Sequence, residues 1–338
     1  MCIRDRAGPL ASTVIGVPFF WMLALWVQKQ HRTDPNERHS FAWSFYLNAA
    51  LIGSVVTAGS TAFAFLNGFI DGDGYDGTVV APFLVATGVW AAHWLVWRRV
   101  PPSTMADLHV MVASGVGLGA MAGGAAFIIG SLVDRTLADA GGVAVDRMLS
   151  DPVWSAVTAI GIGGTIWVWH WLLNGLNSSR TTIWQGYVIL VGVLGGLLAA
   201  VIGGAIALFQ LLQWFFGDPG ASSAALHFRD TGWAFGVAAI GIGVWLYHRS
   251  VLASGRDTAR SNVDRIYDYL VSGIALATVA GALTTLVVAV FTLFDTSDAV
   301  RGGDSDTDIV LLAITLLIVG APMWMVAWRH AQHAHRQD

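Results

Sequence analysis

The chain has 338 residues and a formal net charge of −4; 55% of its residues are hydrophobic and only 12% are charged. Because a soluble domain carries about 25% charged residues, this composition excludes an ordinary water-soluble globular protein. Its hydrophobic residues form recurrent runs of about 20 residues between short polar loops, which is typical of membrane-spanning helices.

The first six residues, Met-Cys-Ile-Arg-Asp-Arg, can be encoded by a DNA sequence that resembles a transposase end sequence used to build sequencing libraries. We therefore expect residues 1–6 to be an adapter artefact on a metagenomic fragment. This interpretation removes Cys2, the only cysteine. Without it, nothing supports a disulfide, thiol catalysis or a cysteine-bound metal.

Nine hydrophobic segments follow and predict an all-α, polytopic transmembrane bundle of about nine helices. Their approximate bounds are 9–28, 41–68, 77–97, 107–133, 152–174, 183–214, 231–250, 265–294 and 308–328. Two kinds of segment alternate along the chain. One kind opens with an aromatic residue or histidine and is rich in Gly and Ala, and the other ends in a tryptophan motif.

The tryptophan motif recurs at intervals of 69 to 79 residues, and its copies begin at Trp21, Trp90, Trp167, Trp245 and Trp324. A fixed period of this kind indicates a repeated structural unit. Each unit is predicted to be a two-helix hairpin within one transmembrane domain, 7–338. The predicted units are a partial repeat, 7–38, and four repeats, 39–100, 101–178, 179–258 and 259–338.

The loops differ in charge between the two ends of the helices. Loops that follow the tryptophan motif hold 12 basic residues, whereas the opposite loops hold four basic residues and 14 Asp. The positive-inside rule therefore predicts a prokaryotic cytoplasmic membrane protein with a cytoplasmic C-terminus and Asp-rich loops outside. The motif residues are predicted interfacial anchors in the lipid bilayer: Trp90, Trp94, Trp167, Trp171, Trp245, Trp324, Trp328, Arg98, Arg249 and Arg329.

Small residues spaced four apart share one helix face and let helix backbones approach closely. Three segments carry such a stripe, and we expect each stripe to be a packing face. The stripes are Gly115, Gly119 and Gly123; Gly192, Gly196, Ala200 and Gly204; and Gly273, Ala277 and Gly281.

The last repeat resembles a known family. Residues 264–294, which open with Asp-Arg-Ile-Tyr-Asp-Tyr, and residues 319–332, Val-Gly-Ala-Pro-Met-Trp-Met-Val-Ala-Trp-Arg-His-Ala-Gln, are similar to two halves of the domain of unknown function 5671 (DUF5671). Residues 15–32 carry nearly the same Pro-Trp ending, and the middle repeats are weaker copies. The resemblance implies a multi-pass prokaryotic membrane protein and supplies no activity, ligand or catalytic residue.

Histidine occupies the same place, three residues after the motif tryptophan, in three repeats: His93, His170 and His248. Imidazoles at one membrane depth are candidate axial ligands of a haem or ligands of a metal ion. The alternative is a hydrogen-bonding or interfacial role that duplication has copied. His109 lies at the same end of the helices and is a candidate to join them.

Two Asp-rich loops are candidate divalent-cation sites, because hard cations such as calcium take several carboxylate oxygens from one loop. Neither loop has a Glu to complete the twelve-residue calcium pattern, and a positive-inside topology also leaves Asp-rich loops outside. The candidate residues are Asp71, Asp73, Asp76, Asp304, Asp306 and Asp308.

Three classes of function remain open from the sequence. The leading prediction is a non-enzymatic structural or subunit-like membrane protein, with membrane-protein partners or self-association and no binding of nucleic acid. A small-solute or ion transporter is the second class. Its candidate polar residues are Asn48, Asn67, Gln185 and Gln210. A haem-binding redox subunit, through His93, His170 and His248, is the third.

Overall fold

A computed structural model describes residues 14–70, 77–141, 150–229, 231–254, 262–294 and 306–335, apart from positions 17, 20, 24, 28 and 31. The regular structure of these residues is helical, and they contain no strand. Eight of the helices are long and apolar enough to cross a membrane. The predicted all-α, polytopic fold is therefore confirmed.

The eight long helices follow one another in chain order. The first four are α1, Phe41–Ile70; α2, Gly77–Arg99; α3, Leu108–Ala140; and α4, Ser150–Trp167, which continues as the π-helical turns Val168–Gly175. The next is α5, which joins Thr182–Gly186, the π-helical turns Tyr187–Leu194, and Gly195–Phe216. The last three are α6, Gly232–Ala253; α7, Asn262–Phe294; and α8, Asp306–His335.

The predicted first segment, 9–28, lies partly outside the described residues. Its described positions between Val14 and Val27 are helical and form a shorter apolar helix than the other eight. Two short helices complete the regular structure, a 3₁₀ helix at Pro35–His39 and a single turn at Ala224–His227.

Local sequence explains where some helices begin and end. The Thr181 hydroxyl accepts a hydrogen bond from the Trp184 backbone N–H and so caps the first turn of α5. Arg98 and Arg99 lie in the last turn of α2, where positive charge complements the carbonyl end of the helix dipole.

Each helix packs mainly against its neighbour in sequence, which produces four hairpins: α1 with α2, α3 with α4, α5 with α6, and α7 with α8. The hairpins join in chain order. Helices α1 and α4 connect the first two hairpins, α3 and α6 connect the next two, and α5 and α8 connect the last two. The described part of the bundle is therefore a row of four two-helix units. The predicted repeats and their bounds stay a prediction.

In each of the two central hairpins, glycines seven residues apart bring the paired helices into close contact. A Cβ atom on Gly117 would lie 2.6 Å from the Trp167 backbone nitrogen, and one on Gly124 would lie 2.6 Å from the Ala156 carbonyl oxygen. In the α5–α6 hairpin, Cβ atoms on Gly196 and Gly203 would likewise lie too close to backbone atoms of Trp245 and Ala234. Helix backbones approach this closely only where both surfaces are small.

The predicted packing stripes are wrong for five glycines. A Cβ atom on Gly119, Gly123, Gly204, Gly273 or Gly281 would meet no heavy atom within 4 Å. In α3 the packing face is instead the one that carries Gly117 and Gly124, because that face meets α4. The stripe in α5 is correct at Gly196, which contacts the α6 backbone.

Candidate functional site

Four buried histidines, which we call the histidine layer, lie in three of the hairpins: His93, His109, His170 and His248. His93 is near the end of α2, His109 near the start of α3, His170 in the π-helical turns of α4, and His248 near the end of α6. Buried imidazoles are uncommon unless they are hydrogen-bonded, so their partners determine what this layer can do.

Three of these imidazoles are oriented by the same backbone contact. Nδ1 lies 2.7 Å from the Val89 carbonyl oxygen in His93, 2.8 Å from that of Ile166 in His170, and 2.9 Å from that of Val244 in His248. A carbonyl oxygen only accepts, so each Nδ1 carries the hydrogen and donates it four residues back along its own helix. Each neutral ring then presents an Nε2 lone pair.

His109 reaches the same tautomer through a side chain. Asn48 Oδ1 accepts the His109 backbone N–H at 2.8 Å and lies 3.2 Å from Nδ1 of the ring. The orientation of this amide is fixed, because Asn48 Nδ2 donates to the Ser44 carbonyl at 2.8 Å and to the Met105 carbonyl at 3.1 Å. His109 therefore donates from Nδ1 and presents its Nε2 lone pair.

The four Nε2 atoms differ in what they meet. In the first hairpin, the Tyr46 hydroxyl lies 2.9 Å from His93 Nε2 and donates to it. The Nε2 atoms of His109, His170 and His248 are buried without a hydrogen-bond partner. An unsatisfied buried polar atom costs about 1–3 kcal/mol. Three such atoms in one layer make it the strongest candidate for a ligand site among the described residues.

Tryptophan rings enclose two of these histidines. The His109 ring centroid lies 4.7 Å from that of Trp97 and 5.6 Å from that of Trp94. The His170 ring lies 5.8 Å from Trp94 and 6.0 Å from Trp90, and all four ring pairs are edge-on. One indole, Trp94, therefore contacts imidazoles from both helices of the second hairpin.

His248 has a separate environment of aromatic rings and one glycine. Its ring lies 4.9 Å from that of Tyr247, 5.6 Å from that of Tyr187 and 5.9 Å from that of Trp171. A Cβ atom on Gly192 would overlap the imidazole, so only glycine at this position leaves room for the ring.

Aromatic contacts at the same depth connect neighbouring hairpins. The Trp171 indole donates to the Tyr247 hydroxyl at 2.9 Å, and the Trp167 indole donates to the Tyr187 hydroxyl at 3.1 Å. Across the first junction, Trp94 contacts His170. We call these contacts the aromatic seam, and it joins three consecutive hairpins.

The predicted interfacial anchors fall into two groups. Trp94 and Trp171 are buried and belong to the aromatic seam, so their rings face protein instead of lipid headgroups. Among the arginines, Arg249 lies 5.8 Å from the Trp245 ring centroid and 5.9 Å from that of Tyr267. The remaining predicted anchors are at least partly exposed: Trp90, Trp167, Trp245, Trp324, Trp328, Arg98 and Arg329.

The three histidines predicted as a set lie one to a hairpin. Within the described ranges, no group of three or more His, Cys, Asp or Glu side chains is arranged to hold one metal ion. A haem role for His93, His170 and His248 stays a prediction. His109 and Asn48 are additional members of the site, although the sequence suggested only lesser roles for them. Both are polar residues near the same end of a hydrophobic helix, and this position is the sequence signal that they share.

The predicted divalent-cation loops are largely untested by the structure. Asp71, Asp73, Asp76 and Asp304 lie outside the described residues, and Asp306 begins α8. Asp308 is partly buried beside Gly217, whose Cβ atom would lie 3.0 Å from its Oδ1. Cation binding by these residues stays a prediction.

Comparison with known proteins identifies one family. The family model for the domain of unknown function DUF5671 matches residues 3–74 and 265–338. The resemblance predicted for both ends of the chain is thereby confirmed, and residues 75–264 lie between the matched segments. No curated protein and no solved structure gives a significant match to the chain.

Proposed function

We propose that this multi-pass membrane protein, which carries the DUF5671 domain at both ends, is a non-enzymatic scaffold or subunit of a membrane assembly. Its tandem hairpins would provide a rigid platform in the bilayer. The observation that carries the proposal is the aromatic seam, because it fixes three consecutive hairpins to one another near the same end of their helices.

Close backbone packing within the hairpins supports a rigid platform. Backbone contacts at Gly117, Gly124, Gly196 and Gly203 leave no space for a polar path between α3 and α4 or between α5 and α6. A solute pathway through a membrane protein requires polar or charged groups that face a hydrated cavity. Packing of this density between paired helices therefore favours a structural role over transport.

Two cavities between hairpins are apolar. One of about 560 Å³ lies between α1 and α4, and Thr158 and Thr165 are the only polar residues in its lining. The other, of about 260 Å³, lies among α3, α5 and α6 and is lined by glycine and apolar residues. Such surfaces suit hydrocarbon chains better than hydrated ions or polar solutes.

Three of the four candidate polar residues for a transporter make side-chain contacts within the protein. Asn48 orients His109, and Asn67 accepts the Ser155 hydroxyl at 2.7 Å and donates to the Phe63 carbonyl. Gln185 lies near the beginning of α5 and donates to the Arg180 carbonyl at 3.5 Å. Asn48 and Asn67 lie near opposite ends of α1, and Gln185 lies on α5, so these contacts do not favour a common pathway.

Reconstitution into lipid vesicles tests this proposal. Vesicles that contain the purified protein, an entrapped pH dye and a potassium gradient are expected to leak protons and potassium no faster than vesicles without protein. The matched control is vesicles with heat-inactivated protein. Saturable flux that heat inactivation abolishes would overturn the scaffold proposal in favour of transport.

We further propose that the protein lies in a prokaryotic cytoplasmic membrane with its C-terminus inside. The excess of basic residues in loops that follow the tryptophan motif supports this orientation. A reporter fused after Asp338 that is active only in the cytoplasm tests it. Activity of a periplasmic reporter at the same position would reverse the orientation.

A further inference from the structure

The second hairpin is the only one of the first three in which histidine occupies both facing positions. The first hairpin pairs Tyr46 with His93 through a hydrogen bond of 2.9 Å. The third places Tyr187 against His248 with ring centroids 5.6 Å apart. At the corresponding place, the second hairpin carries His109 on α3 and His170 on α4. This hairpin therefore presents two imidazoles where the others present one imidazole and one phenol.

The two imidazoles pack against one indole ring and are buried. Both contact the ring of Trp94, at 5.6 Å for His109 and 5.8 Å for His170. His109 is 1% exposed and His170 is 2% exposed. We call the space around Trp94 and these two rings the compartment.

Neither Nε2 atom donates or accepts a hydrogen bond, so the two rings do not bond to each other. Both rings hold their hydrogen on Nδ1, because Asn48 Oδ1 and the Ile166 carbonyl accept there. A single interposed atom that both rings can bind would satisfy the two buried acceptors together. That atom is either a metal ion or the oxygen of a water molecule.

The contacts at Nδ1 are those of a prepared metal ligand. Histidines that bind metals commonly donate their second ring N–H to a backbone carbonyl or a side-chain oxygen, which fixes the tautomer and the ring orientation. His170 uses a carbonyl for this purpose and His109 uses Asn48. The amide of Asn48 is itself held by two backbone carbonyls, so the arrangement exists before any ion arrives.

Charge selects the kind of ion. The compartment offers two neutral imidazoles, whose side-chain contacts are with an amide and aromatic rings. A divalent ion would therefore leave two positive charges uncompensated in an apolar region. A monovalent ion leaves one, and indole rings attract cations. Imidazole suits zinc, copper, iron and nickel, whereas hard cations prefer oxygen ligands. Of these four metals, copper is the one with a common monovalent ion.

We propose that His109 and His170 bind one Cu(I) ion between their Nε2 atoms. The ion accepts both lone pairs, which removes the cost of two unsatisfied buried acceptors. Trp94 contacts both ligands, Trp90 contacts His170, and Trp97 contacts His109. The proposal depends on the geometry of this compartment and is independent of the scaffold role.

Competition for copper tests the site in the purified full-length protein. Cu(I) is supplied as its complex with bathocuproine disulfonate, and loss of the coloured complex measures transfer to the protein. The native chain is expected to take up about one Cu(I), with X-ray absorption showing two nitrogen ligands. His109→Leu and His170→Leu are expected to abolish uptake, and Asn48→Ala to weaken it by about 10–100-fold.

His248→Leu is the matched control. It removes an imidazole of equal burial that also lacks an Nε2 partner but has no second imidazole beside it. Uptake is expected to be unchanged in this variant. No copper uptake by the native chain would overturn the proposal and leave a water molecule as the bridging group. Equal loss in His248→Leu, or tighter binding of Zn²⁺ or haem than of Cu(I), would also overturn it.

Discussion

Gly117→Ala is expected to lower the free energy of unfolding by about 1–3 kcal/mol, the usual cost of forcing extra atoms into a packed interior. The added methyl carbon would lie 2.6 Å from the Trp167 backbone nitrogen and 2.7 Å from the Gly163 carbonyl oxygen. Backbone atoms cannot turn aside as a side chain can. Helices α3 and α4 must therefore separate, and the packing along their whole contact weakens.

Gly119→Ala is the matched control on the same helix. A Cβ atom there meets no heavy atom within 4 Å, so the methyl group adds no clash. Alanine also favours a helix over glycine by up to about 1 kcal/mol. Reversible unfolding in mixed detergent micelles is expected to show a loss for Gly117→Ala and none for Gly119→Ala. Equal losses would mean that α3 does not meet α4 on the Gly117 face.

Trp171→Ala is expected to lower the free energy of unfolding by about 3–5 kcal/mol, as is usual for a large buried aromatic residue. Trp171 is 0% exposed. Its ring centroid lies 4.7 Å from that of Tyr187 and 5.9 Å from that of Trp184, and its indole donates to the Tyr247 hydroxyl. The substitution empties the junction between the second and third hairpins and removes a hydrogen bond across it.

Trp154→Ala provides the comparison on the same helix. Trp154 is 53% exposed, so its removal takes away little protein packing. The same unfolding measurement is expected to give a change well below that of Trp171→Ala. If both variants lose the same stability, Trp171 serves as a lipid-facing anchor and the aromatic seam does not hold the hairpins together.

The hydrophobic runs of the sequence predict most of the fold. The segments 41–68 and 77–97 correspond to α1, Phe41–Ile70, and α2, Gly77–Arg99. Such runs are informative because a chain in hydrocarbon must satisfy its backbone hydrogen bonds internally, which favours helices. Charged and glycine-rich loops then separate the helices at nearly regular intervals.

The face on which a helix packs could not be obtained in the same way. Helix α3 carries glycines on several faces, and the spacing of Gly115, Gly119 and Gly123 satisfies the usual packing pattern as well as any. The contact made with α4 instead uses Gly117 and Gly124. Which face packs depends on the neighbouring helix, and one helix's own sequence does not contain that information.

The tryptophan motif shows the same limit at the candidate site. Its position near helix ends suits an interfacial anchor, and Trp328 is exposed as such an anchor would be. Trp94 and Trp171 occupy the second tryptophan position of their motif copies and are buried, because a neighbouring hairpin covers them. The role of Asn48 in orienting His109 also required the fold, since 61 residues separate the two.

A double-mutant cycle between Trp171 and Tyr247 tests the aromatic seam most directly. Trp171→Phe and Tyr247→Phe each remove one side of the 2.9 Å hydrogen bond between neighbouring hairpins. Their effects on the free energy of unfolding are expected to be coupled by about 1 kcal/mol. A cycle between Trp171→Phe and Tyr46→Phe, which share no recorded contact, is expected to be additive. Additivity in the Trp171–Tyr247 cycle would contradict a seam that joins the hairpins.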